Sequence, residues 1–292
     1  MGRLQMGMWN GFQPEFWQKY ESPLLGGIEA SQFPCEDNLP EISRFCQMRG
    51  LRFGVHTPIL AQSFYSLPRV SAKDRGERKE ALERIGREAQ LAARYGADYI
   101  LFHFPFPSVF PSVQEPAYLA GMPAFERYES REIEPGFLRD CGERLLDAIA
   151  EIQLRTGQRI VLEYDFFGDE WELFDELFGR YPDVGLVADL QRLDVHRRVF
   201  PEFDPYRWLE QTLPHLYVVH HSNTRFEDGK WHRHLPVLPE HDAAPDYGDA
   251  FAYMRFIAES RPEVHVTFEH NPALVSREEL QRCYESVHAL CG

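Results

Sequence analysis

Six short apolar runs in this chain end in a side chain that can hold a metal ion or move a proton. Val161-Leu162-Glu163, Val187-Ala188-Asp189, Val218-Val219-His220 and Thr267-Phe268-Glu269 succeed one another along the second half, and His56 and His103 close two earlier runs. Such runs suit buried strands, where an ionised carboxylate is costly unless it is paired or metal-bound. Three carboxylates and an imidazole brought to one point repel one another until a cation joins them. A divalent ion held by Glu163, Asp189, His220 and Glu269 is therefore the expected chemistry. An oxygen-rich set with one nitrogen suits Mn²⁺, Mg²⁺, Co²⁺ or Zn²⁺.

For the four to meet, their strands must lie side by side with their ends together. Apolar runs at 4–9, 26–31, 51–56, 98–103, 159–164, 184–190, 216–222 and 264–269 make eight, nearly continuous as in parallel strands covered on both faces. Between them, 38–48, 72–95, 137–154, 170–180, 205–212, 247–260 and 277–290 read as helices, with Gly96 and Gly157 placed as left-handed caps. The alternation predicts α/β class, either a closed (β/α)8 TIM barrel or an open doubly wound sheet. The count of eight favours the barrel, and no G-x-G-x-x-G follows the first run to favour a dinucleotide fold. The expectation is a single domain over 1–292. Three strand-to-helix connections, 57–71, 104–134 and 223–246, are too long for turns, whereas the helix-to-strand ones span only a few residues. Barrel active sites are built on the side with the long loops.

Charge narrows the partners. With 31 basic and 46 acidic residues the formal net charge is -15, which repels a polyanion over most of the surface, so a nucleic-acid partner is not favoured. Five cysteines without a C-x-x-C pair read as the reduced thiols of a cytoplasmic protein. The first residues lack a basic stretch followed by an apolar one, and no apolar stretch approaches the roughly 20 residues that span a bilayer. Neither a secretory leader nor a membrane partner is expected.

The chain resembles the xylose isomerase-like TIM barrels, a superfamily of sugar (or sugar-phosphate) isomerases and epimerases with apurinic endonuclease relatives. The matching residues are Leu162-Glu163, Ala188-Asp189, Val219-His220-His221-Ser222-Asn223 and Phe268-Glu269. Gly96-Ala97-Asp98-Tyr99-Ile100 before His103, and Val55-His56-Thr57-Pro58, also match. The resemblance runs over almost the whole chain. It implies Glu163, Asp189, His220 and Glu269 as ligands of one divalent metal ion, manganese favoured, with magnesium, cobalt and zinc as alternatives. It also implies Glu163 and Glu269 as catalytic bases that exchange a proton with the substrate carbon through an enediolate, on a small polyhydroxy carbonyl compound. Two positions depart from the pattern: Arg192 stands where many relatives have a histidine, and His232-Arg233-His234 replaces an Asp-x-His pair. A complete multi-metal site is therefore not expected.

Other residues admit two readings each. His56, His103, Arg192, His232 and His234 are candidates for substrate contact or a second metal. Arg192 has a fork suited to a phosphate or carboxylate, or else pairs with Asp194. Glu29 is a pocket residue or a buried partner of a neighbouring base, and His221 and His270 should face away from the mouth. Trp9 and Trp231 could wall a sugar, and the aromatics of 104–120 form a lid over substrate, or else a packed loop or a homo-oligomer contact. The expected function is a metal-dependent isomerase or epimerase. The alternatives are a metal-dependent phosphodiester hydrolase, a dehydratase or lyase on the same barrel, and a non-catalytic ligand-binding barrel.

Overall fold

The computed structural model describes residues 2–121 and 127–292. Its strands are β1 (Leu4–Met8), β2 (Leu25–Ala30), β3 (Arg52–His56), β4 (Tyr99–Phe104), β5 (Arg159–Tyr164), β6 (Gly185–Asp189), β7 (Leu216–His221) and β8 (His265–Phe268). Each runs parallel to its sequence neighbours, and β8 closes on β1 with Leu4 opposite Val266. Closure decides between the two architectures that the alternation allowed: the protein is a (β/α)8 barrel. All eight expected strands are present.

The outer ring contains α1 (Pro14–Tyr20), α2 (Leu39–Arg49), α3 (Arg75–Tyr95), α4 (Phe137–Thr156), α5 (Leu173–Arg180), α6 (Leu190–Val199), α7 (Pro205–Thr212), α8 (Ala250–Ser260) and α9 (Arg277–Cys291). Asp74 caps α3 by accepting from the Glu77 amide, and Gly96 ends it in the left-handed conformation. Gly157 ends α4 in the same way, as its position predicts. The sequence reading missed α1 and α6. The first spans only seven residues, and the second starts directly at the end of β6, so no loop marks it off.

Two of the long loops contain small sheets of their own. Ser108–Phe110 pairs with Arg127–Glu129, and Asn223–Glu227 forms a hairpin with Lys230–Leu235. The hairpin turns on Asp228 and Gly229, both at positive φ, the conformation for which Asp-Gly is suited. Part of the 104–134 loop, residues 122–126, lies outside the described residues. No helix among the described residues is long and apolar enough to cross a membrane.

Alternation along each strand sends every second side chain into the barrel. Leu101, Val161, Val187 and Val218 pack there with Tyr99 as a cluster separate from the larger core under the helices. Beside them, Gln5 Nε2 donates to Tyr99 Oη at 2.8 Å and to Thr267 Oγ1 at 3.0 Å, and Tyr99 in turn donates to Glu29. Gly54 makes room for the Tyr99 ring, since a Cβ on Gly54 would lie 2.2 Å from it. Gly54→Ala should therefore cost at least about 1–3 kcal/mol by overpacking. It should also loosen Glu29 by displacing the phenol that holds it. Denaturant unfolding measures the first effect, and an unchanged midpoint would contradict this packing.

Candidate functional site

The same inward face carries the candidate site at the C-terminal ends of the strands. Two residues beyond Leu101, Val161, Val187, Val218 and Thr267 stand His103, Glu163, Asp189, His220 and Glu269. His56 and Glu29 occupy the matching positions beyond Gly54 and Gly27. Glu163, Asp189, His220, His103, Glu29 and Glu269 are all buried.

His220 is the hub. Its Nδ1 lies 3.3 Å from Glu163 Oε2 and 3.4 Å from Glu269 Oε2, while its Nε2 lies 3.0 Å from Glu29 Oε1. Neither ring nitrogen makes a well-aligned hydrogen bond among the described residues, although both are shielded from solvent. A buried imidazole surrounded by carboxylate oxygens yet out of line with them fits a cation ligand better than a hydrogen-bonded core histidine.

Two groups of donor atoms could hold an ion, each with its atoms within 4.8 Å of one another: Glu29, His220 and Glu269 in one, and His56, His103 and Glu163 in the other. His103 Nε2 and His56 Nε2 lie 3.3 and 3.6 Å from Glu163 Oε2, so Glu163 faces both groups. Asp189 belongs to neither. Its Oδ1 accepts from the Gln191 and Arg192 amides at 3.0 and 3.3 Å as the N-cap of α6, while Oδ2 accepts from Gln191 Nε2 at 3.4 Å and lies 3.9 Å from Arg192 Nη2.

Arg192 is itself a cation at this site. Nη2 lies 2.9 Å from Glu163 Oε1, and Nη1 lies 2.7 Å from Asp165 Oδ2 and donates to the Tyr164 carbonyl at 3.0 Å. Burial opposes its charge, but Asp165, Glu163 and Asp189 outweigh it and hold the guanidinium firmly protonated. The surface alternative falls away, because Asp194 pairs with Arg197 and Arg198. Asp165 escaped the sequence reading, although Glu163-Tyr164-Asp165 repeats the inward alternation one step past the strand.

The remaining candidates separate. His234 lines the pocket, with Nδ1 3.1 Å from the Glu269 carbonyl and its ring edge-on to Trp9. His232 is exposed on the hairpin and contributes nothing to the pocket walls. Trp231 packs on Tyr118 and Phe226, away from the mouth. His221 and His270 are buried against Phe268 outside the barrel, with burial holding both well on the neutral side.

Protonation follows from this crowding. Burial disfavours a charged His220, yet Glu269, Glu29 and Glu163 overcome it and hold the imidazolium well above its usual range. Burial pushes the Glu269 carboxyl up to about 7, against the pull of His220. Burial also acts on Glu163, but His103, Arg192 and His220 together hold it well below the usual carboxylate range. A cation needs the deprotonated forms. Divalent-ion binding should therefore release protons near neutrality and weaken as pH falls below about 7, where Glu269 and His220 both hold protons. Calorimetry in buffers of different ionisation enthalpy reads the release directly, and a buffer-independent heat would contradict the proton linkage.

Two adjoining chambers open at the mouth. One, of about 360 Å³, is lined by Trp9, Glu29, His56, Glu163, His234 and Glu269. The other, of about 340 Å³, is lined by Leu67, Phe106, Asp165, Phe166 and Val195. Tyr65, His103, Asp189, Gln191, Arg192 and Arg233 border both.

No protein-family model and no curated protein sequence matches the chain. Solved structures do. A D-tagatose 3-epimerase-like protein superposes with a TM-score of 0.64 at 14% identity, over 98% of each chain. The chain has the fold of the xylose isomerase-like barrels. Mannonate dehydratase from Streptococcus suis aligns at a TM-score of 0.65 and 12% identity, over 99% of this chain and 95% of that one. A xylose isomerase-like TIM barrel protein from Mycobacterium smegmatis, solved in complex with magnesium, aligns at 0.55 and 15%, over 92% and 85%.

Proposed function

We propose that the protein is a metal-dependent isomerase or epimerase of a sugar or sugar phosphate. The observation that carries this reading is the pair Glu163 and Glu269 set about the same nitrogen of a buried His220, at 3.3 and 3.4 Å. Glu163, His220 and Glu269 would hold the cation, with Asp189 Oδ2 as the fourth donor. Glu29, facing the other nitrogen at 3.0 Å, would accept the Nε2 proton and leave Nδ1 free for the cation, the usual support for a metal-bound imidazole. A divalent ion, when bound, polarises a substrate carbonyl and its neighbouring hydroxyl and so acidifies the C–H between them.

The chain's own work is proton transfer and positioning. One glutamate takes the proton from the substrate carbon, and the other, protonated from solvent, delivers its own proton to the opposite face for epimerisation. Arg192, with Nη2 2.9 Å from Glu163 Oε1, favours the ionised form of that base, and Glu269 stands across His220 Nδ1 from it. The magnesium-bound structure with the same fold supports a cation here, and the epimerase-like one supports the chemistry.

One observation favours a second reading. His56 and His103 with Glu163 form a second possible ion site beside the first, which would suit two-ion phosphodiester hydrolysis. Elemental analysis together with deuterium uptake from heavy water into a panel of ketoses and their phosphates separates the two. One ion per chain with uptake supports the isomerase. Two or more ions, no uptake and phosphodiester turnover would replace it. Loss of water from an aldonate after proton abstraction would instead mark a dehydratase.

A further inference from the structure

Arg192 is saturated by Glu163 and Asp165, whereas the neighbouring Arg233 is not. Arg233 projects from the 230–235 strand of the hairpin and borders both chambers. Among the described residues its Nε is shielded from solvent without a hydrogen-bond partner, and no carboxylate forms an ion pair with the side chain. The backbone next to it is pinned, because the His234 amide donates to Gln191 Oε1 at 3.1 Å. A half-buried guanidinium with a shielded, unbonded Nε and no paired anion is costly for the fold alone. It is well suited to an anion supplied by a ligand.

The second chamber says what lies beside that anion. Leu67, Phe106, Phe166 and Val195 give it apolar walls, and its volume of about 340 Å³ far exceeds the room a lone phosphate or carboxylate needs. We propose that the substrate carries an apolar, aryl-sized substituent in this chamber and an anionic group held by Arg233 where the chambers meet. The polyhydroxy end in the first chamber rests on the isomerase reading. The anionic, apolar end does not.

Direct binding to the full chain tests the second chamber without any turnover. The probes are phenyl phosphate, benzoate, benzyl alcohol and inorganic phosphate, titrated calorimetrically. At least one aryl anion should bind roughly tenfold or more tightly than both benzyl alcohol and inorganic phosphate, from the charge-assisted bond and the apolar contact together. The tighter of phenyl phosphate and benzoate identifies the anion. Arg233→Gln should bring the aryl anion down to the level of benzyl alcohol, and Arg233→Lys, which keeps the charge, should retain part of the advantage. Aryl anions binding no better than inorganic phosphate, or an undiminished preference in folded Arg233→Gln, would overturn the proposal. Ketose deuterium uptake is measured separately. Its absence alongside Arg233-dependent aryl-anion binding sinks the isomerase reading but not this subsite, and the converse result does the reverse.

Discussion

Glu269→Gln and Glu163→Gln should each lower substrate-dependent deuterium uptake by roughly a thousandfold or more, since each change removes both a proton acceptor and a cation ligand. The amide keeps the shape of the carboxyl, so the loss can be assigned to charge and basicity rather than to a cavity. The two variants should differ in their cost elsewhere. Glu163 Oε1 is 2.9 Å from Arg192 Nη2, so its replacement leaves part of a buried guanidinium unpaired and should also lower stability. Among the described residues Glu269 has no such ion pair with an arginine, and its carboxyl is already pushed up to about 7 by burial. Glu269→Gln should therefore retain or gain stability in the metal-free protein at neutral pH, because it removes a group that is strained when ionised. Full uptake in either variant would remove that glutamate from the proposed chemistry.

The largest expected effect on stability is that of Arg192→Ala in the metal-free protein. The change strands Glu163 and Asp165, both buried, and breaking a buried pair in this way costs about 3–5 kcal/mol. That corresponds to a fall in Tm of roughly 5–10 °C for a chain of this size. Acid sensitivity should move as well. In the intact protein, despite burial, the Glu163 and Asp165 carboxyls are held below their usual range with Arg192 among the causes. Their contribution is thus fully present above about pH 4 and disappears only as stronger acid protonates them. Without Arg192, burial acts on them with less opposition and raises both, so the variant should begin to lose stability at higher pH. A divalent cation should restore much of the loss by supplying positive charge at Glu163, about 2.7 kcal/mol at a hundred times its Kd. Thermal denaturation with and without Mn²⁺ measures all three. A Tm unchanged without the cation would show that Arg192 is dispensable to the fold.

Much of this protein is readable one strand at a time. A buried parallel strand needs a near-continuous apolar run, and its βα end is the place where a polar group can emerge into a mouth. Glu163, Asp189, His220 and Glu269 therefore announce themselves locally, as do the eight strands and the caps at Gly96 and Gly157. Local pattern does not carry the relations between strands. That Glu29 on β2 faces His220 on β7 depends on barrel closure, which brings opposite sides of the ring within 3.0 Å. That Arg192 holds Glu163 and Asp165, instead of standing free, depends on α6 beginning directly at Asp189, so that its first turn swings the guanidinium back across the mouth. That Arg233 borders both chambers without a paired carboxylate depends on how the hairpin lies over the barrel, held by Gln191 and the Glu269 carbonyl. Sequence alone set which side chains reach the mouth, because alternation and burial act within a strand. Tertiary structure decided which of them are paired and which are left for a ligand, because charge pairing acts through space.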